Sequence, residues 1–236
     1  METKNYGKIY LIPSEMGEQD PKRLFPEYNL AIISTLSHYI VENARTSRRM
    51  IKKLVPELQI SEITFFEYDK HAAIQDFNAM FAPLLEGENF GIMSDAGLPC
   101  IADPGNVFVA KAHEMGIKIH PLVGPNSIIM ALISSGFNGQ NFTFHGYIPM
   151  KDNQVQFIRQ IEQVAFKSGQ TQIFMETPYR NQKLFEELIQ HLKPETKLCI
   201  ATDITLDDEF IQTKTIKDWK KNIPNIQKRP TIFLIG

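Results

Sequence analysis

The chain has 236 residues, 43% of them hydrophobic and 22% charged, with a formal net charge of −2. That length holds one large domain or two small ones with real cores, and the composition excludes a disordered or fibrous chain. The near-neutral charge excludes a general electrostatic pull toward nucleic acid or anionic membrane, so any RNA contact must come from a local patch. Two cysteines in no metal or redox spacing, no apolar leader and no apolar run near the ~18 residues that span a bilayer point to a soluble, cytoplasmic protein.

In chain order, residues 8–12 read as a strand ended by Pro13. Residues 26–37 are ambiguous: Pro26 suits the first position of a helix, yet Leu30-Ala31-Ile32-Ile33 also suits a strand. Helix is preferred, because 38–42 then supplies the next strand. Residues 44–54 form a basic helix carrying Arg45, Arg48, Arg49, Lys52 and Lys53, stopped before Pro56. The β-branched and aromatic run 62–68 is a strand, and 72–85 has helical spacing with a kink expected at Pro83. Strand 90–93, helix 107–115 and strand 117–123 follow. Alternation of short apolar strands with helices is the pattern of a parallel α/β sheet.

The second half is less regular. Helices are expected at 127–135, 154–167 and 181–191, and strands at 142–147, 172–175, 197–202, 210–213 and 231–235. Several strands follow one another without helices, so this half should contain antiparallel pairing. The expected fold class is α/β with two domains: an N-terminal parallel-sheet domain over 1–123 and a C-terminal mixed-sheet domain over 124–236. Residues 137–141 are the competing boundary.

The most marked segment is Ser94-Asp95-Ala96-Gly97-Leu98-Pro99-Cys100-Ile101-Ala102-Asp103-Pro104-Gly105. It leaves a strand and enters a helix, the place where ligands bind in open parallel sheets. It is longer than the roughly two to six residues such a connection needs. Its aspartates argue against a phosphate cradle and suit a ligand with hydroxyls or a positive centre. The competing reading is a rigid connector whose aspartates cap the turn or the next helix. Gly124-Pro125-Asn126-Ser127 precedes an apolar helix, either as punctuation with an N-cap or as a helix N-terminus that holds a ligand carboxylate. The basic helix alone reads as a solvated face. Glu176 and Arg180 read equally as a local ion pair or as groups facing a cleft. The six histidines have no metal spacing, and G-x-S-x-G, P-loop and G-x-G-x-x-G motifs are absent, which leaves hydrolase, NTPase and standard dinucleotide readings without their main warrant.

Taken together, these motifs resemble the tetrapyrrole methylase superfamily of S-adenosylmethionine-dependent methyltransferases. The likeness is greatest to the branch that methylates a cytidine ribose 2′-hydroxyl of small-subunit ribosomal RNA. Ser94–Gly105 matches that branch's S-D-A-G-x-P-x-x-x-D-P-G. Gly124–Ser127 resembles P-G-P-S-A, and Val41–Arg49 resembles A-E-D-T-R-x-T-x-R. Phe142–Lys151 resembles F-x-F-x-G-F-x-P-x-K, and Met175–Arg180 resembles Y-E-S-P-H-R. The chain departs from T-P-I-G-N at Ser14-Glu15-Met16-Gly17-Glu18, from E-D-T-R at Glu42-Asn43-Ala44-Arg45, and from E-L-T-K at Asp203-Ile204-Thr205-Leu206. With no counterpart of the branch's C-terminal extension, it reads as a shorter, divergent member.

The resemblance implies two α/β domains with the cofactor in a trough between them, and a homodimer. It implies S-adenosylmethionine contacts from Asp95, Gly97, Leu98, Ile101, Gly124, Ser127, Ile128, Met175 and Ala201. A ribose hydroxyl is a weak nucleophile, so a general base is expected among Asp95, Asp103, Glu42 and Glu176. Arg45, Arg48 and Arg180 are the expected contacts to substrate phosphate. No metal is expected. The alternatives are a small-molecule, tetrapyrrole-like methyltransferase and a paralogue that binds cofactor without catalysis. A basic rim along the Arg45 helix favours RNA, and a flat, uncharged trough favours the macrocycle.

Overall fold

The computed structural model describes residues 5–68, 76–149 and 153–236. The chain divides into two compact units, Met1–Pro125 and Asn126–Gly236.

The first unit is an all-parallel sheet of β1 (Lys8–Ile12), β2 (His38–Val41), β3 (Thr64–Glu67), β4 (Phe90–Met93) and β5 (Lys118–Pro121), in the order β3-β2-β4-β1-β5. Side chains alternate between faces along each strand. Tyr10, Ile12, Tyr39, Val41 and Met93 pack on one face with Ile33 of α1 (Glu27–Ile33) and with Met50, Ile51 and Leu54 of α2 (Ala44–Leu54). Ile9, Ile40, Phe90 and Ile92 pack on the other with Met80, Phe81 and Leu84 of α3 (Phe77–Leu85) and Phe108 and Ala112 of α4 (Asn106–Glu114). The central strand β4 is buried on both faces. Gly91 lies there because a Cβ would meet Ile12 Cδ1 and the Tyr39 ring at 2.6–2.7 Å.

This topology makes a crevice. The chain leaves β1 and β2 into helices on one face, and leaves their shared neighbour β4 into a helix on the other. The carboxyl ends of adjacent parallel strands therefore open at a switch point, the usual ligand position in such sheets.

The second unit is a mixed sheet of β6 (Phe142–Tyr147), β7 (Thr171–Met175), β8 (Lys197–Thr202), β9 (Phe210–Thr215) and β10 (Thr231–Ile235), ordered β6-β7-β10-β8-β9. The β6–β7 pair is parallel, and the β7–β10, β10–β8 and β8–β9 pairs are antiparallel. The apolar stripes of α6 (Gln154–Ser168) and α7 (Asn181–His191) bury Phe174, Leu198, Ile200, Phe233 and Ile235. On β8, Cys199 and Ala201 point the other way, and α5 (Ser127–Ser135) lies against β8, β9 and β10.

The α/β class, the parallel sheet and the antiparallel pairing in the second half are all observed. The differences have local causes. The strand expected over 62–68 is shorter, since Ile60–Glu62 forms a 3₁₀ turn first. The strand expected over 117–123 narrows to Lys118–Pro121. The helix expected over 72–85 is observed from Phe77, with the Asp76 side chain accepting from Ala79 N, and runs through Pro83. Positions 72–75, like Met150 and Lys151 of the F-x-F-x-G motif, lie outside the described residues. A four-residue helix, α8 (Ile216–Trp219), was not expected; Thr215 caps it, and Trp219 Nε1 donates to Leu198 O at 2.9 Å.

Candidate active site

In the first unit the segment after β4 has two halves with different tasks. Residues 94–97 are tied to the loop after β1. Ser14 Oγ donates to Ser94 O at 2.6 Å, and Ser14 and Gly97 exchange backbone hydrogen bonds of 2.7 and 3.2 Å. Gly97 sits at φ +70°, a left-handed conformation that glycine adopts without a Cβ penalty. Between these anchors Asp95 and Ala96 are exposed. The Asp95 N–H donates to Glu42 Oε2 at 2.9 Å, so Glu42, at the end of β2, fixes the turn that presents the Asp95 side chain.

Residues 100–105 turn inward. Cys100 and Ala102 have φ of 69° and 61°, strained values for residues with a Cβ. Asp103 holds this fold of the chain. Its Oδ1 accepts from Gly105 N at 2.6 Å and from the Tyr68 hydroxyl at 3.4 Å. Its Oδ2 is shielded from solvent and has no hydrogen-bond partner among the described residues. A Cβ on Gly105 would lie 2.8 Å from Asp103 Oδ1. Burial pushes the Asp103 carboxyl above its ordinary value, the Glu42 charge adds to the shift, and the bonds from Gly105, Cys100 and Tyr68 oppose it. Burial, then Asp103, push the Cys100 thiol up to about 12, and raise the Tyr68 phenol as well. The two readings of the segment therefore divide: 100–105 is the anchored turn, and 94–97 is the presented one.

A cleft of about 650 Å³ opens at this end of the sheet. Glu15 to Glu18 of the loop after β1 form one wall, Thr46, Arg49, Met50 and Lys53 of α2 a second, and Asp95 with Ala96 the third. The α2 residues follow from helical spacing. Asn43 caps the helix by accepting from Thr46 N at 3.0 Å, and positions 47, 50, 51 and 54 face the core. Lys53 Nζ donates to Glu15 Oε2 and Gln19 O, both at 2.7 Å, which draws the loop onto the helix.

The cations of α2 are unequal. The Arg48 guanidinium lies over the Phe65 ring, 5.0 Å from its centroid, so this expected phosphate contact is engaged in packing. Lys52 Nζ reaches Leu58 O. Arg45 and Arg49 are exposed and make no ion pair among the described residues. Arg49 lines the cleft, and it is not among the arginines expected from the sequence to contact phosphate. Leu98 is half-buried and Ile101 exposed. Gly124 is packed against Pro13, where a Cβ would lie 2.2 Å from Pro13 Cβ.

In the second unit, Asn126 caps α5 through Ile129 N at 3.0 Å, leaving Ser127 and Ile128 at the first helical positions. Ser127 is half-buried and Ile128 buried. Met175 ends β7, half-buried, and Ala201 is 1% exposed in β8 between Ile211 and Ile232. Glu176 and Arg180 form the local ion pair, with Glu176 Oε1 buried and also accepting from Thr177 N at 2.7 Å. Asp203, at the divergent E-L-T-K position, accepts from Arg229 Nε at 2.6 Å, a partner the sequence does not reveal. Among the described residues no group of three or more His, Cys, Asp or Glu is placed to hold a metal, and no helix is long and apolar enough to cross a membrane.

No protein-family model matches the chain. It is 28% identical over 230 residues to ribosomal RNA small subunit methyltransferase I of Vibrio cholerae, covering 96% of this chain and 76% of that protein. It is 27% identical over 237 residues to the Escherichia coli O157:H7 protein of the same name, covering 97% and 77%. Among solved structures, the methyltransferase CobJ superposes with a TM-score of 0.62 at 16% identity, covering 98% of this chain and 94% of that one. Uroporphyrin-III-C-methyltransferase from Thermus thermophilus gives a TM-score of 0.54, also at 16% identity, with the same coverage. The structural likeness establishes the tetrapyrrole methylase fold. With the sequence similarity along nearly the whole chain, it identifies a methyltransferase, which implies a methyl donor.

Proposed function

We propose that this methyltransferase of the tetrapyrrole methylase fold transfers the methyl group of S-adenosylmethionine to a ribose 2′-hydroxyl of ribosomal RNA. The observation that carries the reading is the pairing, in one cleft, of the presented Asp95 carboxylate with the exposed cationic face of α2. A flat, uncharged hollow would have favoured a macrocyclic acceptor. Exposed guanidinium groups favour a phosphate-bearing one.

The donor set fits the proposed cofactor. S-Adenosylmethionine, when bound, supplies an electrophilic methyl group on a sulfonium centre, together with ribose hydroxyls and a carboxylate. Asp95 and the glycine-bearing turn through Gly97 offer negative charge and close backbone approach, and Leu98, Ile101 and Gly124 flank them. Taken by itself, the second unit has at Ser127 and Ile128 the N-terminus of α5, whose first N–H groups have no intrahelical acceptor, the chemistry that holds a carboxylate, and Met175 and Ala201 are the residues that the resemblance assigns to the adenosyl side. The chain's main work is alignment and exclusion of water around an already activated carbon.

Of the four carboxylates, Asp95 best suits the task of general base. Glu42 holds the Asp95 backbone, Asp103 holds the 100–105 turn, and Glu176 is buried against Arg180. A positioned base contributes roughly 10²–10⁴-fold. The homodimer and the cytoplasmic location are part of the same proposal; sedimentation of the purified protein tests the first.

The test is mass spectrometry of small-subunit ribosomal RNA from a deletion strain, followed by remethylation of that RNA by purified protein. One ribose methyl should disappear and return, and should fail to return with Asp95→Asn. An unchanged RNA map would discard the reading in favour of a small-molecule acceptor or a non-catalytic paralogue.

A further inference from the structure

We infer that the cleft between α2 and the Asp95 turn is the acceptor subsite, and that Arg49 is its phosphate contact, receiving one single-stranded nucleotide of the RNA. The inference rests on the ribosomal RNA reading above and names the residue of the site that meets the substrate.

Three observations carry it. The first is charge. Two cations reach the cleft, Arg49 and Lys53. Lys53 is committed to Glu15 and Gln19 O, where it holds the loop after β1 against the helix. Arg49 is exposed and has no ion-pair or hydrogen-bond partner among the described residues. A guanidinium presents a fork of donors suited to phosphate oxygens.

The second observation is the companion chemistry. Glu18 and Asp95 also line the cleft. Carboxylates accept from ribose hydroxyls and from exocyclic base amines, whereas a polyphosphate would be repelled by them. One unpaired guanidinium beside carboxylates therefore suits a single phosphodiester with its sugar and base. The third is size. About 650 Å³ lies within the range of pockets that enclose one small ligand, too small for a duplex. RNA is read specifically through unpaired, splayed nucleotides of this kind.

The geometry also redistributes the helix's roles. Arg48, the neighbour of Arg49 in sequence, covers Phe65, and Lys52 bonds the Leu58 carbonyl, so both lie away from the cleft. A generic basic face would not discriminate among them; a built subsite does.

The test measures binding of small-subunit ribosomal RNA from the deletion strain at several salt concentrations, together with calorimetry using S-adenosylmethionine. Each lost phosphate contact lowers the slope of log affinity against log salt by roughly 0.7–0.9. Arg49→Ala should lower it by about that amount and weaken binding on the order of tenfold, with cofactor affinity and thermal midpoint unchanged. Arg49→Lys should restore the slope. Lys52→Ala removes the same charge from the same helix outside the cleft and should leave the slope as it was. Equal slopes for Arg49→Ala and wild type, or an equal loss in Lys52→Ala, overturn the inference while the RNA reading stands. A fall in cofactor affinity with an unchanged RNA slope overturns it by assigning the cleft to the cofactor. No RNA binding by the wild-type protein brings down the RNA reading, and the subsite with it.

Discussion

Replacing Gly124 by alanine would place a Cβ 2.2 Å from Pro13 Cβ and 2.3 Å from Pro13 Cγ. Ordinary carbon contacts lie at about 3.5–4.0 Å, so the two segments would have to part by roughly 1.5 Å. Neither side gives easily. Pro13 is a closed ring, and Gly124 runs directly into Pro125, which is buried. Pro13 also precedes Ser14, whose backbone is bridged to Gly97 and whose hydroxyl holds Ser94 O. A displacement of Pro13 is therefore passed to the turn that presents Asp95. Overpacking of a tight contact costs about 1–3 kcal/mol, so the variant should lose about that much stability in the first unit. If the loop absorbs the strain instead, the same energy appears as an affinity for the proposed cofactor lower by roughly 5- to 150-fold. Urea unfolding, hydrogen exchange of the β1 and β4 amides, and calorimetry with S-adenosylmethionine measure the two shares. Gly139→Ala is the control: nothing lies within 4 Å of its Cβ position and its φ is not left-handed, so it should be neutral or slightly stabilising. A Gly124→Ala protein with wild-type unfolding, exchange and affinity would refute the reasoning, as would an equal loss in Gly139→Ala.

The other predictions concern groups whose environments are fixed in the structure. Asp103 is held above its ordinary carboxyl value by burial, so the folded chain binds its proton more tightly than the unfolded chain. Its contribution is favourable at acid pH and is lost as pH rises from the ordinary carboxyl value through the raised folded one; Asp103→Asn should therefore lose less stability than wild type as pH rises above the ordinary carboxyl range, and urea midpoints that fall in parallel would count against this. The Cys100 thiol, pushed up to about 12, is on the order of one part in 10⁴ thiolate at pH 8; alkylation of the native protein should be far slower than that of a free cysteine, and ordinary labelling rates by mass spectrometry would contradict the burial. Arg180→Ala leaves the buried Glu176 carboxylate with the Thr177 N–H and should cost the second unit about 1–3 kcal/mol, with Glu176→Gln recovering part in the double variant; additive losses would mean that the pair is uncoupled.

Local signals in the sequence reached the elements and the main turn, because each rests on near neighbours. Hydrophobic periodicity located the five strands of each sheet, Gly124–Ser127 marked the start of the helix that Asn126 caps, and the length and charge of 94–105 marked the segment at the switch point. What the residues did not reveal depends on contacts across the chain. Nothing near Ser14 announces that it bridges Gly97, and nothing near Pro13 announces Gly124. Left-handed φ at Cys100, Ala102, Thr205 and Lys228 is unreadable, since these residue types avoid it and only surrounding structure imposes it. Asp103 read as a candidate base because its charge was visible and its burial was not.

The basic helix shows the same limit from the side of function. Five cations within eleven residues look alike in sequence, and composition alone ranks them equally. Packing separates them. Lys53 reaches the neighbouring loop, Arg48 covers an aromatic ring, Lys52 bonds a carbonyl, and Arg45 and Arg49 are left at the surface. A net charge of −2 is then no obstacle to an RNA acceptor. Local phosphate contacts need one or two unpaired guanidinium groups at the mouth of a crevice, and long-range steering is a separate effect that this chain is not built to supply. Its proposed selectivity accordingly resides in which nucleotide enters the cleft, and the carboxylates beside Arg49 make a bare polyanion a poor occupant.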